Sequence, residues 1–122
     1  MADITYSASI RVEKDNLSNT IQVNSVTANM SQVGLLAQTL TLSTSATSIS
    51  TANLSSVGVA FLRNLSTDTS FTATIGVNAS GTFVGFATLR AGEIAVTRLT
   101  SGANYQAIGV SGTRLRVDIT EG

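Results

Sequence analysis

Through most of this chain apolar side chains fall on every second position, and clusters of turn-forming residues interrupt them about every ten residues. Ile4, Tyr6, Ala8, Ile10 and Val12 share one parity, with Thr5, Ser7, Ser9 and Arg11 on the other. A helix needs apolar residues three and four apart to build a buried stripe, so this pattern fits only a strand. The polar group Glu13-Lys14-Asp15-Asn16 ends the run. Ile21 and Val23 open a second strand, but Val26, Ala28 and Met30 lie on the opposite parity. A bulge or tight turn near Asn24-Ser25 would restore the phase.

Leu36, Leu40 and Leu42 continue the pattern after Gly34, and Ser43 to Thr51 reads as a loop or weak edge strand. The continuous apolar run Val57 to Leu62 is expected to be a central strand buried on both faces. Beyond the turn at Asn64 to Thr69, Phe71, Ala73, Ile75 and Val77 alternate again. The turns Asn78 to Gly81, Arg90 to Glu93, Ser101 to Asn104 and Ser111-Gly112 then separate strands at Phe83–Leu89, Ile94–Leu99, Tyr105–Val110 and the final run. There Leu115, Val117 and Ile119 face inward, while Arg114, Arg116 and Asp118 face outward. Gly85 is expected to make room for a neighbouring ring.

Eight to ten short strands without helices give an all-β fold, an antiparallel β-sandwich of jelly-roll type, with an immunoglobulin-like sandwich as the alternative. The absence of Trp and Cys argues against a true antibody-type domain. A length of 122 residues fits a single domain spanning 1–122.

Composition narrows the chemistry. The chain has no His and no Cys, and from Asn16 to Leu62 it carries no ionisable side chain. Thiolate nucleophiles, cysteine metal sites and disulfides are therefore excluded. Charged residues make up 11% of the chain, against about 25% in typical soluble proteins, and net charge is +0. So thin a charged coat favours self-association or burial against another protein. Seven Lys and Arg against seven Asp and Glu offer no general excess for phosphates, so no direct nucleic-acid partner is expected. No secretion signal is visible at Met1-Ala2-Asp3-Ile4, and no apolar run is long enough to cross a membrane as a helix.

Candidate reactive groups are few. A Ser or Thr nucleophile lacks a His base, and the only lysine, Lys14, lies beside carboxylates. Glu93 and Asp118 are the best carboxylate pair for glycoside hydrolysis, but Glu93 capping a turn and Asp118 pairing with Arg114 or Arg116 is the simpler reading. Glu13, Asp15 and Asn16 offer oxygens to a calcium ion without the glycine or distal glutamate of a calcium loop. No catalytic residue, metal site or cofactor is therefore expected. Five Asn-x-Ser sequons, at Asn16, Asn29, Asn53, Asn64 and Asn78, reflect abundant serine. The four phenylalanines are expected in the core, and Tyr105, following a turn, is the aromatic best placed to stack on a sugar. Arg63, Arg90 and Arg98 sit at strand ends or turns, where arginine makes bidentate contacts across an interface. With Glu93 they form the candidate interface set.

The segments Phe61-Leu62-Arg63-Asn64-Leu65, Leu89-Arg90-Ala91-Gly92-Glu93-Ile94 and Leu115-Arg116-Val117-Asp118-Ile119 resemble small β-rich virion proteins of tailed bacteriophages, of the capsid cement or decoration type. This resemblance covers the second half of the chain. It implies a non-enzymatic subunit on the capsid surface, made in the bacterial cytoplasm, assembled as a homodimer or homotrimer and bound to the major capsid protein. The alternative is a carbohydrate-binding or adhesin-type module of a tail fibre or baseplate. The uncharged span from Asn16 to Leu62 is the part expected to lie against other protein.

Overall fold

The computed structural model describes residues 2–122. Two compact units divide the chain, Met1–Ser31 and Gln32–Gly122.

The first unit is a two-stranded antiparallel hairpin of β1 (Ile4–Lys14) and β2 (Leu17–Ala28), turning at Asp15-Asn16 with Asp15 at φ 53°. Its register sets Ile4 opposite Ala28, Tyr6 opposite Val26, Ala8 opposite Val23 and Ile10 opposite Ile21. The pairing shifts between Tyr6 and Ala8, so that Ser7 faces both Asn24 and Ser25. Ser25 sits at φ 55° and donates its N–H to the Ser7 hydroxyl at 3.0 Å. This is the bulge required by the parity change, and it returns the apolar residues of β2 to the face of β1's own. That face is not buried in the way alternation alone would imply. Ile10 is 57% exposed and Ile21 54%, because a two-stranded hairpin has no second layer of its own.

The second unit is an antiparallel sandwich of eight strands. They are β3 (Leu35–Thr41), β4 (Thr47–Ser48), β5 (Val57–Asn64), β6 (Ala73–Ala79), β7 (Thr82–Leu89), β8 (Ile94–Arg98), β9 (Tyr105–Gly109) and β10 (Arg114–Glu121). One sheet has the order β3-β10-β5-β8 and the other β4-β9-β6-β7. Within them β3 pairs with β10, β4 with β9, β5 with β8 and β6 with β7. These nested pairs are those of one long hairpin closed at β6–β7. Rolling that hairpin brings β5 against β10 and β6 against β9. That is jelly-roll topology rather than an immunoglobulin order. The Ser- and Thr-rich tract after Leu42 contributes only the two-residue edge strand β4.

Each sheet turns one parity inward. Leu42, Ala60, Leu62, Leu115, Val117 and Ile119 meet Ile49, Ala73, Ile75, Leu89, Tyr105 and Ala107 in one core. The run at Val57 to Leu62 is central in its sheet, but not apolar-buried throughout. Phe61 points to the outer face and is 38% exposed, since only one side of this sheet is covered by the other. Nor do the phenylalanines fill the core: Phe86 is exposed, and Phe71 and Phe83 are half-buried. The aromatic inside is Tyr105, whose hydroxyl donates to Thr100 O and accepts from Thr100 N, both at 2.8 Å. Gly85 makes room chiefly for the Thr74 methyl, with the Phe83 ring farther away.

Two polar residues lock the core. Asn64, fully buried, ends β5 and donates Nδ2 to Phe71 O at 2.9 Å and Leu89 O at 3.1 Å, while its Oδ1 accepts from Ser66 N at 3.0 Å. It thereby ties the first sheet to β7 of the second. Glu121, 3% exposed, accepts through Oε1 from Ser55 N at 2.7 Å, Ser56 N at 3.0 Å and the Ser55 hydroxyl. The Ser55 hydroxyl and the Ser56 and Ser55 N–H groups favour the ionised carboxylate and hold its pKa below the ordinary value, although desolvation opposes them.

Candidate interaction surface

The outer face of the β3-β10-β5-β8 sheet collects most of the cationic groups of the second unit. Alternation and register place its residues in rows. Thr39, Arg116, Arg63 and Ile94 lie side by side, then Ala37, Asp118, Phe61 and Val96. Arg98 stands opposite Val59 in the next row, and Arg114 opposite Thr41 at the other end. Of the arginines in this unit, Arg63, Arg98, Arg114 and Arg116 share this face, and only Arg90 lies off it.

Charges on this face are largely uncompensated. Arg116 contacts Asp118, with Nη2 3.1 Å from Oδ1 and Nε 3.2 Å from both carboxylate oxygens. Among the described residues Arg63, Arg98 and Arg114 make no ion pair. Arg63 is instead directly across from Arg116. Like charges at facing positions of a sheet are destabilising. Exposed Phe61 and Ile94 lie among them, and exposed Leu35 stands at the β3 edge of the same face. Aromatic and aliphatic side chains flanked by arginine are the composition of a protein interface, where arginine is enriched and lysine depleted.

Of the candidate interface residues, Arg63 and Arg98 are brought together on this sheet. Arg90 and Glu93 are not: they form the β7–β8 turn. There Glu93 Oε1 accepts from Arg90 N at 2.6 Å, Glu93 N donates to Arg90 O at 3.0 Å, and Gly92 takes φ 81°. Glu93 thus caps its turn and Asp118 is held by Arg116, the simpler of the two readings for each. Arg114 and Arg116 complete the patch. Their outward parity was readable, but their adjacency to Arg63 depends on the non-local pairing of β10 with β5.

A second surface is the apolar face of the hairpin, where Ile10, Val12, Leu17, Ile21 and Val23 are all exposed. Opposite it run Thr5, Ser9, Gln22, Thr20 and Ser18, with Arg11 bound to Glu13 at 2.6 Å. Glu13 is therefore already engaged, and no group of three or more His, Cys, Asp or Glu able to hold a metal occurs among the described residues. Tyr105 is buried and hydrogen-bonded, so it does not offer a stacking platform for sugars. No helix of the described residues is long and apolar enough to cross a membrane. The chain matches no known protein-family model and no curated protein.

Proposed function

We propose that this protein is a non-enzymatic structural subunit of a bacteriophage particle, a capsid cement or decoration protein that stabilises the lattice of the major capsid protein. The observation that carries this reading is the hairpin. Its two long strands present one largely apolar face, broken near the turn by Lys14 and Asn19, with Ile10 57%, Leu17 58%, Ile21 54% and Val23 48% exposed. An isolated two-stranded hairpin is marginal in water, and an uncovered apolar face of this kind marks a contact surface. Binding that covers it only in the folded state stabilises the assembly by mass action.

Two further features support the reading. The arginine-bearing sheet face supplies a second contact surface with charge to set register. The jelly roll recurs in viral capsid proteins, a likeness of architecture alone. In this role the chain assembles with copies of itself, as a dimer or trimer, and with the major capsid protein on the virion surface. It uses no cofactor and binds neither nucleic acid nor membrane.

The test combines mass measurement in solution with quantitative detection in purified virions. The expected result is a dimer or trimer in solution and a copy number comparable to that of the capsid protein. Removing residues 2–31 is expected to leave a folded sandwich that no longer joins particles. A strict monomer at high concentration that is missing from virions overturns the proposal, and a handful of copies per particle moves the protein to the tail.

A further inference from the structure

The two sheets of the sandwich leave space between them. A cleft of about 270 Å³ opens between Phe86 and Ala87 of β7 and Ala95, Thr97 and Leu99 at and just after β8, with the buried Ile75, Val117 and Ile119 packed behind its inner wall. Both β7 and β8 are edge strands of their sheets, so the opening lies along a side where no further strand closes the roll. Small residues, Ala60, Ala87 and Ala95, line positions where larger side chains would have filled the space. Natural cores hold few voids larger than a water molecule. An engineered apolar cavity of about 150 Å³ stays dry and takes up benzene or xenon.

The lining dictates what can enter. The Tyr105 hydroxyl is spent in both directions on the Thr100 backbone, and the Thr97 hydroxyl donates to Arg98 O at 3.4 Å. Every other wall position is aliphatic or aromatic. A water would not find the two to four polar partners it needs. A charged or strongly polar guest would lose its hydration without replacement.

Phe86 stands at this opening by design of the backbone. The β6–β7 register passes from Ile75 opposite Ala87 directly to Gly76 opposite Gly85, leaving Phe86 as the extra residue of a bulge. Two glycines permit it. A Cβ on Gly76 would run into the Val84 carbonyl, and one on Gly85 would lie 2.7 Å from the Thr74 methyl. Bulges re-aim side chains in this way. The ring so placed lines the cavity and is still 56% exposed.

The geometry points to a binding site for a compact, uncharged apolar molecule, aromatic or short branched aliphatic, with Phe86 closing over it. This site is independent of the assembly role. Toluene is the probe, added to the purified full chain and followed by thermal denaturation and by amide resonances. The expected result is a rise in Tm that grows with toluene, with shifts centred on Ala87, Ala95 and Leu99. Ala95→Leu, which fills the cavity, is expected to abolish both effects while raising Tm without ligand. Ala87→Val serves the same purpose if the first variant does not fold. Phe86→Ala is expected to weaken toluene binding while leaving the fold intact. The site is overturned if the wild type shows no shift, or if the shift survives in the filled variant, which would place toluene on exposed residues such as Ile21. A solution structure with the Phe86 ring, or a side chain of a second copy, seated in the cavity also overturns it.

Discussion

The hairpin of β1 and β2 and the jelly roll of β3 to β10 are written in the same pattern, an apolar side chain at alternate positions. In the jelly roll that pattern buries Leu115, Val117 and Ile119 completely. In the hairpin it leaves Ile10, Ile21 and Val23 about half exposed. The difference is the number of layers. Strand alternation commits one face to leaving water, but only a second sheet or another molecule can receive it. Alternation therefore locates a surface that must be covered without saying what covers it.

Substitutions at equivalent parity in the two regions test this contrast most strongly. Leu115→Ala removes a fully buried side chain and is expected to cost about 3 kcal/mol in urea denaturation. Ile21→Ala in a dissociated monomer is expected to cost no more than about 0.5 kcal/mol. Equal losses would mean that the hairpin face is already covered within one chain. Asn64→Ala comes next. It strands the carbonyls of Phe71 and Leu89 and the N–H of Ser66, and an expected loss of about 2 kcal/mol would appear in the same measurement.

Acid provides a third contrast, since among the described residues the one buried carboxylate, Glu121, belongs to the jelly roll. The pKa of Glu121 is lowered in the folded state, mainly by the Ser55 hydroxyl and the Ser56 N–H. Its contribution is thus present above the unfolded value of about 4.3 and lost as pH falls through the lower folded value. Asp68, lowered by the backbone N–H and hydroxyl of Ser70, acts in the same direction. Thermal melts are expected to fall in Tm as pH drops below about 4, with a shallower fall in Glu121→Gln. An unchanged slope in that variant would remove Glu121 as a source. The smallest effect is expected within the hairpin. Ser25 holds φ 55°, so Ser25→Gly relieves a left-handed conformation and should slow amide exchange across the bulge, by no more than about 1 kcal/mol.

Much of this architecture was legible residue by residue. The parity change between Val23 and Val26 located the bulge, and the turn residues bounded the strands closely. Strand order was not legible, because the nested pairing of β3 with β10 and β4 with β9 joins residues far apart in the chain. Phenylalanine's apolar side chain argues for the core, but parity decides its place: Phe61 shares its parity with outward Arg63. By the same parity Glu121 and Asn64 lie inside, in phase with Ile119 and Leu62. Their polarity argued for the surface, and only the serine N–H groups and carbonyls that meet them make burial affordable. The arginine face needed both kinds of knowledge, parity within β5 and β10 and their adjacency across the sheet.

The place of β10 in its sheet has a consequence for how the chain is made. Residues Arg114–Glu121 lie between β3 and β5, and without them those strands share no neighbour. During synthesis β3 and β5 emerge first and must wait, their inward faces open, until this segment leaves the ribosome. A chain interrupted before it cannot close the sheet or bury Leu42 and Leu62 against Leu115 and Val117. The order of synthesis thus acts as a checkpoint: truncated products stay unfolded and available to proteases, while chains carrying this segment can fold.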